Sequence, residues 1–261
     1  MNFRRVVAHI RLLRPVNSGI VLATVAIACL LGGAQLEEWP IIMIASLSAA
    51  LIAAGGYAIN DYFDLEIDKY NRPDRPLPSM LVTPMASHHL WFLLSMMGFG
   101  FSTFWGIQTM AIAFFWITAL YFYSRIFKRK VLVGNIIVAL ATALAFMYGA
   151  AAVGQIQLAI FPTLFAFLIN MARELVKDAE DVEGDRLDDA KTFTIRYGIA
   201  KTIGLSNIIL VVLIVLTLLP YALRIYHGRY LFLVMIVNMM LIYSILLLHH
   251  HIQRFRFIAP A

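Results

Sequence analysis

The chain has 261 residues, 61% hydrophobic and 14% charged, with a formal net charge of +6. Soluble domains carry about 45–50% apolar and about 25% charged residues, so this composition excludes an ordinary soluble fold, a disordered chain and a charge-rich coiled coil. One cysteine, Cys29, excludes an internal disulfide framework; with a mean hydropathy of +0.80 the chain reads as an integral membrane protein.

In chain order, the stretch up to Pro15 carries Arg4, Arg5, Arg11 and Arg14 and lacks the apolar core of a secretory signal. It reads as a basic helix lying in the membrane interface. A crossing helix needs about 20 apolar residues. Eight runs are candidates, the fourth of them short: 17–36, 40–60, 86–106, 109–124, 131–153, 157–177, 202–222 and 230–250. The expected architecture is an all-α, polytopic transmembrane bundle. Gly106 to Thr109 is a tight turn, and Pro73, Pro76 and Pro78 stop the helix that follows the second run.

All of the 21 Lys and Arg except Arg224 and Arg229 fall on one side of such a bundle. The positive-inside rule makes that side cytoplasmic, with both termini on it and the protein in the cell membrane. Of the 15 acids, only Glu37 and Glu38 lie on the other side. The rest fall in two stretches, each at the cytoplasmic end of a span, and four spans separate them. Asp61, Asp64, Glu66 and Asp68 form D-x-x-D-x-E-x-D, and Asp178, Asp181, Glu183 and Asp185 repeat it. Steps of three and four keep side chains on one helix face, so Asp61, Asp64 and Asp68 make one carboxylate stripe and Asp178, Asp181 and Asp185 another. Three like charges on a stripe repel, and something cationic must neutralise them. A solvated juxtamembrane loop would explain one such cluster; two with matched spacing on one face point to a site.

Carboxylate oxygens suit a hard divalent ion, and Mg²⁺ is typically bound through one or two carboxylates plus substrate phosphates. Cys29 lies elsewhere, and His88, His89 and His249 to His251 sit at span ends as interfacial residues, so zinc is not expected. Lys and Arg are interleaved with the acids, and a phosphorylated substrate needs such donors for its outer oxygens. Arg75, Lys128 and Lys191 are the candidates. There is no G-x-x-x-x-G-K loop for nucleotide hydrolysis, and no sign of nucleic-acid binding.

At this point the residues resemble a family. Asn60, Asp61, Asp64 and Asp68, followed by Asn71, Arg72, Pro73 and Arg75, resemble the first signature of the UbiA-type intramembrane prenyltransferases. Lys177, Asp178, Asp181, Gly184, Asp185 and Arg186, with Lys191 and Thr192 after them, resemble the second. Tyr123, Ser124, Lys128, Gly134 and Asn135 are similar to the region between, and Arg14, Pro15 and Asn17 to the opening element, so the likeness runs over about 11–200. It implies one prenyltransferase domain over 1–261, a helical bundle around a cavity, and two Mg²⁺ ions. Asn60, Asp64 and Asp68 would bind one ion, with Asp61 close by; Asp178, Asp181 and Asp185 would bind the other.

The substrate-binding residues on this view are Asn17, Arg75, Lys128, Arg173, Lys177 and Lys191, and the aspartates carry the chemistry through the ions. The implied donor is a polyprenyl diphosphate. The second signature is most similar to the branch that makes digeranylgeranylglyceryl phosphate, with geranylgeranylglyceryl phosphate as lipid acceptor. An aromatic acceptor of the quinone, chlorophyll or tocopherol type is the alternative. The family usually has nine spans, whereas only two runs follow the second signature here.

Two other readings stand against this one. A CDP-alcohol phosphotransferase also uses paired Asp stripes but requires D-G-x-x-A-R, and Asp64 is followed by Leu65, Glu66 and Ile67. A cation-coupled transporter would place acids deep within spans and interrupt its helices with Gly or Pro.

Overall fold

The computed structural model describes the backbone of residues 3–187 and 191–258, and the side chains of 3–184 and 191–250. Among the described residues the regular structure is helical, with no strand. The helices are α1 (Phe3–Leu12), α2 (Pro15–Leu31), α3 (Trp39–Phe63), α4 (Leu65–Asn71), α5 (Pro84–Ser102), α6 (Ile107–Arg125), α7 (Val133–Ala152), α8 (Ile160–Glu180), α9 (Val182–Leu187), α10 (Phe193–Tyr197), α11 (Ile199–Ala222) and α12 (Gly228–Ile258).

The eight apolar runs correspond to the long helices α2, α3, α5, α6, α7, α8, α11 and α12. By length and apolarity, six helices are able to cross a membrane, or seven if α1 and α2, bent by 45° at their junction, count as one span. The long helix that falls short is α5, where His88, His89, Ser87, Ser95 and Ser102 dilute the apolar residues. The chirality of the chain shows in the turns. Gly106 adopts φ 96° between α5 and α6, where a side chain would be strained.

The chain forms two compact units, one of residues 1–128 and 144–163, the other of 129–143 and 164–261. In the first, α3 is central and packs against α2, α5 and α6. Its buried residues are mostly small: Ala45, Ser48, Ala49, Gly55, Gly56 and Ala58 among them. Small residues let backbones approach closely, which is how helices associate where lipid removes the hydrophobic drive. A Cβ on Gly98 of α5 would sit 2.7 Å from the Ser48 carbonyl oxygen. The Ser48 hydroxyl also donates to the Gly98 carbonyl at 2.6 Å and lies 2.6 Å from the Tyr148 hydroxyl. The Ser48 hydroxyl is therefore satisfied between helices, as lipid surroundings require.

The second unit is built on the pair α11 and α12. Ala172 of α8 packs with Leu210, Leu213 and Leu241, and the Ser206 hydroxyl donates to the Ala172 carbonyl at 3.1 Å. Thr217 and the buried Asn238 join α11 to α12 at 3.1 Å. Tyr230 adds a bond to the Thr217 carbonyl at 2.7 Å.

Candidate active site

The first signature closes α3 and continues into α4. Asp64 interrupts the helix with φ −90°, ψ 0°, yet its amide bonds to the Asn60 carbonyl at 3.0 Å and its carbonyl accepts from the Asp68 amide at 2.8 Å. The i→i+4 ladder therefore runs through the break, and Asn60, Asp64 and Asp68 stay in register one turn apart. After Asn71 the proline-rich segment leaves the helix, and α5 restarts at Pro84 with the Thr83 hydroxyl accepting from the Ala86 amide at 3.2 Å.

Asp61 and Asp68 are only 5% and 6% exposed. Three cations from separate elements neutralise the stripe. Arg14, at the α1–α2 bend, donates to Asp61 at 2.6 Å. Arg75 donates to Asp68 at 2.6 Å and stands 3.6 Å from Asp61. The Lys128 ammonium pairs with Asp64 Oδ1. Asn60 donates to Asp64 Oδ2 at 2.9 Å, and the Ser124 hydroxyl donates to Asn60 Oδ1 at 3.4 Å. Arg75 and Lys128, the candidates for phosphate oxygens, both stand on carboxylates of this stripe.

The second signature ends α8 and enters α9. Asp178 sits in the last turn of α8, and Asp181 marks the break, its amide bonded to the Lys177 carbonyl at 2.9 Å. Asn135 of α7, 7% exposed, donates to Asp178 Oδ2 at 2.8 Å. Asp181 is exposed. Asp185 falls in α9, but its side chain lies outside the described residues. One turn before Asp178, Glu174 is 6% exposed. It accepts from Arg173 at 3.0 Å and lies 3.9 Å from the Lys177 ammonium.

Of the other predicted residues, Asn17 is exposed in the first turn of α2. Arg173 and Lys177 are exposed around Glu174. Lys191 is exposed, and its amide bonds to the Arg129 carbonyl at 3.0 Å. His88 packs its ring on Tyr62 and Trp91 at 5.5 and 5.2 Å. Among the described residues, no three His, Cys, Asp or Glu side chains stand close enough to hold a metal ion by themselves. The donor set nonetheless fits Mg²⁺. It consists of hard carboxylate and amide oxygens, and such an ion needs one or two carboxylates, its remaining positions going to water and phosphate.

Three residues beside these acids are not among the predicted site residues. Arg14 and Asn135 are legible in the sequence only as part of the family likeness, without a partner. Glu174 carries a legible signal, since it lies four residues before Asp178 and so shares its helix face.

The chain matches the model of the UbiA prenyltransferase family over residues 21–255. It is 39% identical over 231 residues to a digeranylgeranylglyceryl phosphate synthase of Sulfurisphaera tokodaii, covering 86% of this chain and 83% of that one. Among solved structures, one described as digeranylgeranylglyceryl phosphate synthase in membranes superposes with a TM-score of 0.84 at 29% identity, over 94% of this chain and 88% of the other. A UbiA homologue from Archaeoglobus fulgidus bound to GPP and Mg²⁺ gives a TM-score of 0.75 at 16% identity, over 92% and 86%. That last likeness is one of fold.

Proposed function

Because the chain belongs to the UbiA prenyltransferase family, we propose that it moves a geranylgeranyl group from its diphosphate to the glycerol hydroxyl of geranylgeranylglyceryl phosphate. The allylic carbon–oxygen bond to the diphosphate breaks, and the acceptor hydroxyl forms the new ether and loses its proton. The observation that carries this reading is the buried aspartate stripe of the first signature, held in helical register and neutralised by Arg14, Arg75 and Lys128. The family's relatives named as synthases of digeranylgeranylglyceryl phosphate support the choice of acceptor.

On this reading Asn60, Asp64 and Asp68 hold one Mg²⁺, and Asp178, Asp181 and Asp185 a second. Bound there, the ions supply electrostatic stabilisation of the charge that builds on the leaving diphosphate. Arg75 and Lys128 take part through competition. Each sits on a carboxylate, and a diphosphate offers its guanidinium or ammonium a second anionic partner with matching hydrogen-bond geometry. Lys177 and Lys191 are further donors for phosphate oxygens, Arg173 holds the acceptor's phosphate, and Asn17 serves substrate at the start of α2. The apolar span residues keep water from the allylic cation. The basic loops place this end of the helices on the cytoplasmic side, and the whole of 1–261 acts as one domain.

The test is incubation of the purified protein with geranylgeranyl diphosphate and, separately, geranylgeranylglyceryl phosphate, an aromatic acid and a quinone precursor, with products read by mass spectrometry. Digeranylgeranylglyceryl phosphate is the expected product. An aromatic product in its place moves the chain to another branch of the family. EDTA is expected to abolish turnover and added Mg²⁺ to restore it; turnover that survives chelation overturns the ion assignment.

A further inference from the structure

We propose that α1 and the loop after α4 form a binding site for the phosphate head group of an anionic membrane lipid, separate from the aspartate signatures. Four residues apart on α1, Ala8 and Leu12 are buried against Ala58, Leu77 and Val82, which fixes the helix to its unit. With 3.6 residues per turn, Phe3, Val6, Val7 and Ile10 then share another face, and Phe3 and Ile10 are well exposed. Arg4 and Arg11, seven residues apart, flank that face. Beside them a groove of about 250 Å³ opens, lined by Phe3, Arg4, Val7, Arg11, Asp74 and Leu81.

Charge selects the occupant. Arg14, Lys69, Arg75 and Lys128 are all ion-paired in this unit. Among the described residues Arg4 and Arg11, like Arg5, Arg72 and Arg125, have no carboxylate within pairing distance; Arg4 and Arg11 are the two that line the groove, where two guanidinium groups against the one carboxylate of Asp74 leave the lining net positive. A phosphate satisfies both arginines, and the groove's apolar side receives the first carbons of a lipid chain where Phe3 and Ile10 enter the bilayer. Exposed apolar and basic faces on one short helix are the arrangement of an interfacial anchor. The groove adds a defined place for one head group, which surface charge alone does not supply.

Native mass spectrometry of the full-length protein in detergent, titrated with phosphatidylglycerol or phosphatidylcholine, tests this. The protein is expected to retain one phosphatidylglycerol more tightly than any phosphatidylcholine. Each basic residue near an anionic head group contributes about 1 kcal/mol. Arg4→Ala with Arg11→Ala should therefore weaken that binding on the order of 10- to 30-fold, and the double Lys variant should stay within a few-fold of wild type. Val7→Trp fills the groove with both arginines in place and should lose the same lipid. Unchanged binding in Val7→Trp or in the double Ala variant overturns the site, as does equal affinity for phosphatidylcholine. Displacement of the lipid by glycerol phosphate at equal concentration would make it a free-phosphate site and overturn the lipid assignment.

Discussion

The two aspartate signatures share a spacing, and the fold treats their charge in different ways. In the first, Asp61 and Asp68 are buried and held by guanidinium groups from the α1–α2 bend and from the proline-rich loop, while Lys128 reaches Asp64 from the segment after α6. In the second, among the described side chains, Asp181 is exposed, Asp178 is half-buried and accepts from a neutral amide, and the buried acid is Glu174, one turn earlier. Burying a carboxylate without a partner is costly, and breaking a buried pair by removing one member costs more than the pair contributes. The first signature is thus tied to the stability of its unit. The second keeps Asp181 in water, where it is able to change partners at little cost.

The largest effect expected is on turnover. Asp64→Ala and Asp181→Ala should each lower the rate of digeranylgeranylglyceryl phosphate formation by about 10²–10³-fold, the loss seen when one electrostatic stabiliser is removed. Product formation from radiolabelled geranylgeranyl diphosphate measures it. The comparison sharpens when stability is read beside rate, because Asp181→Ala should unfold like the wild type. Near-normal turnover in either variant removes that aspartate from the site.

Next in size is Arg75→Ala. It takes the partner from Asp68 and the second cation from Asp61, both buried. The Arg75 side chain is 22% exposed, so water recovers part of the loss. The expected destabilisation is about 3 kcal/mol, the lower end for a broken buried pair. Thermal unfolding in detergent checks it, and Asp68→Asn in the same chain should return part of the stability. Wild-type unfolding of Arg75→Ala would show that the first signature is no more dependent on its cations than the second.

How much of this was legible in the sequence follows from the reach of each interaction. Apolar runs long enough to span a bilayer are local, and each of the eight predicted ones found a long helix. The stripes are local too, since i, i+3 and i+4 are neighbours on any helix, and the ladder through Asp64 preserves the first of them. Partners distant along the chain carry no periodic signal. Arg14 and Asp61 are 47 residues apart, and Asn135 and Asp178 are 43 apart. The family likeness includes Arg14 and Asn135 without a partner, and only packing shows what each one holds. The same limit explains Arg75 and Lys128. Both charges are legible, whereas their pairing with the acids depends on where a proline-rich loop and a helix end return.

Asn135→Ala probes the second signature without touching a charge. The residue is buried and its amide holds Asp178 Oδ2 at 2.8 Å. Groups that orient a metal-binding carboxylate typically contribute 10- to 100-fold in affinity or activity. The Mg²⁺ concentration for half-maximal turnover should therefore rise by about 10-fold or more. Asn135→Asp should raise it further, because a second carboxylate then faces Asp178. An unchanged Mg²⁺ requirement in both variants would mean that Asp178 needs no positioning by α7.

The smallest effect tests the other side of the comparison. Glu174 is as buried as Asp68, so burial alone would make its partners as important as Arg75. The partners differ, however. The Arg173 side chain is 69% exposed and that of Lys177 is 52% exposed, with Lys177 at 3.9 Å. An ion pair whose cation stays in solvent is screened and contributes about 0–1 kcal/mol. In Arg173→Ala, water and Lys177 take over the solvation of Glu174, so thermal unfolding should shift by less than about 1 kcal/mol. If Arg173 binds the acceptor's phosphate, the variant should instead raise the acceptor KM with little change in kcat, as expected for lost ground-state binding. A destabilisation as large as that of Arg75→Ala would show that burial of the acid sets the cost, whatever the exposure of its cation.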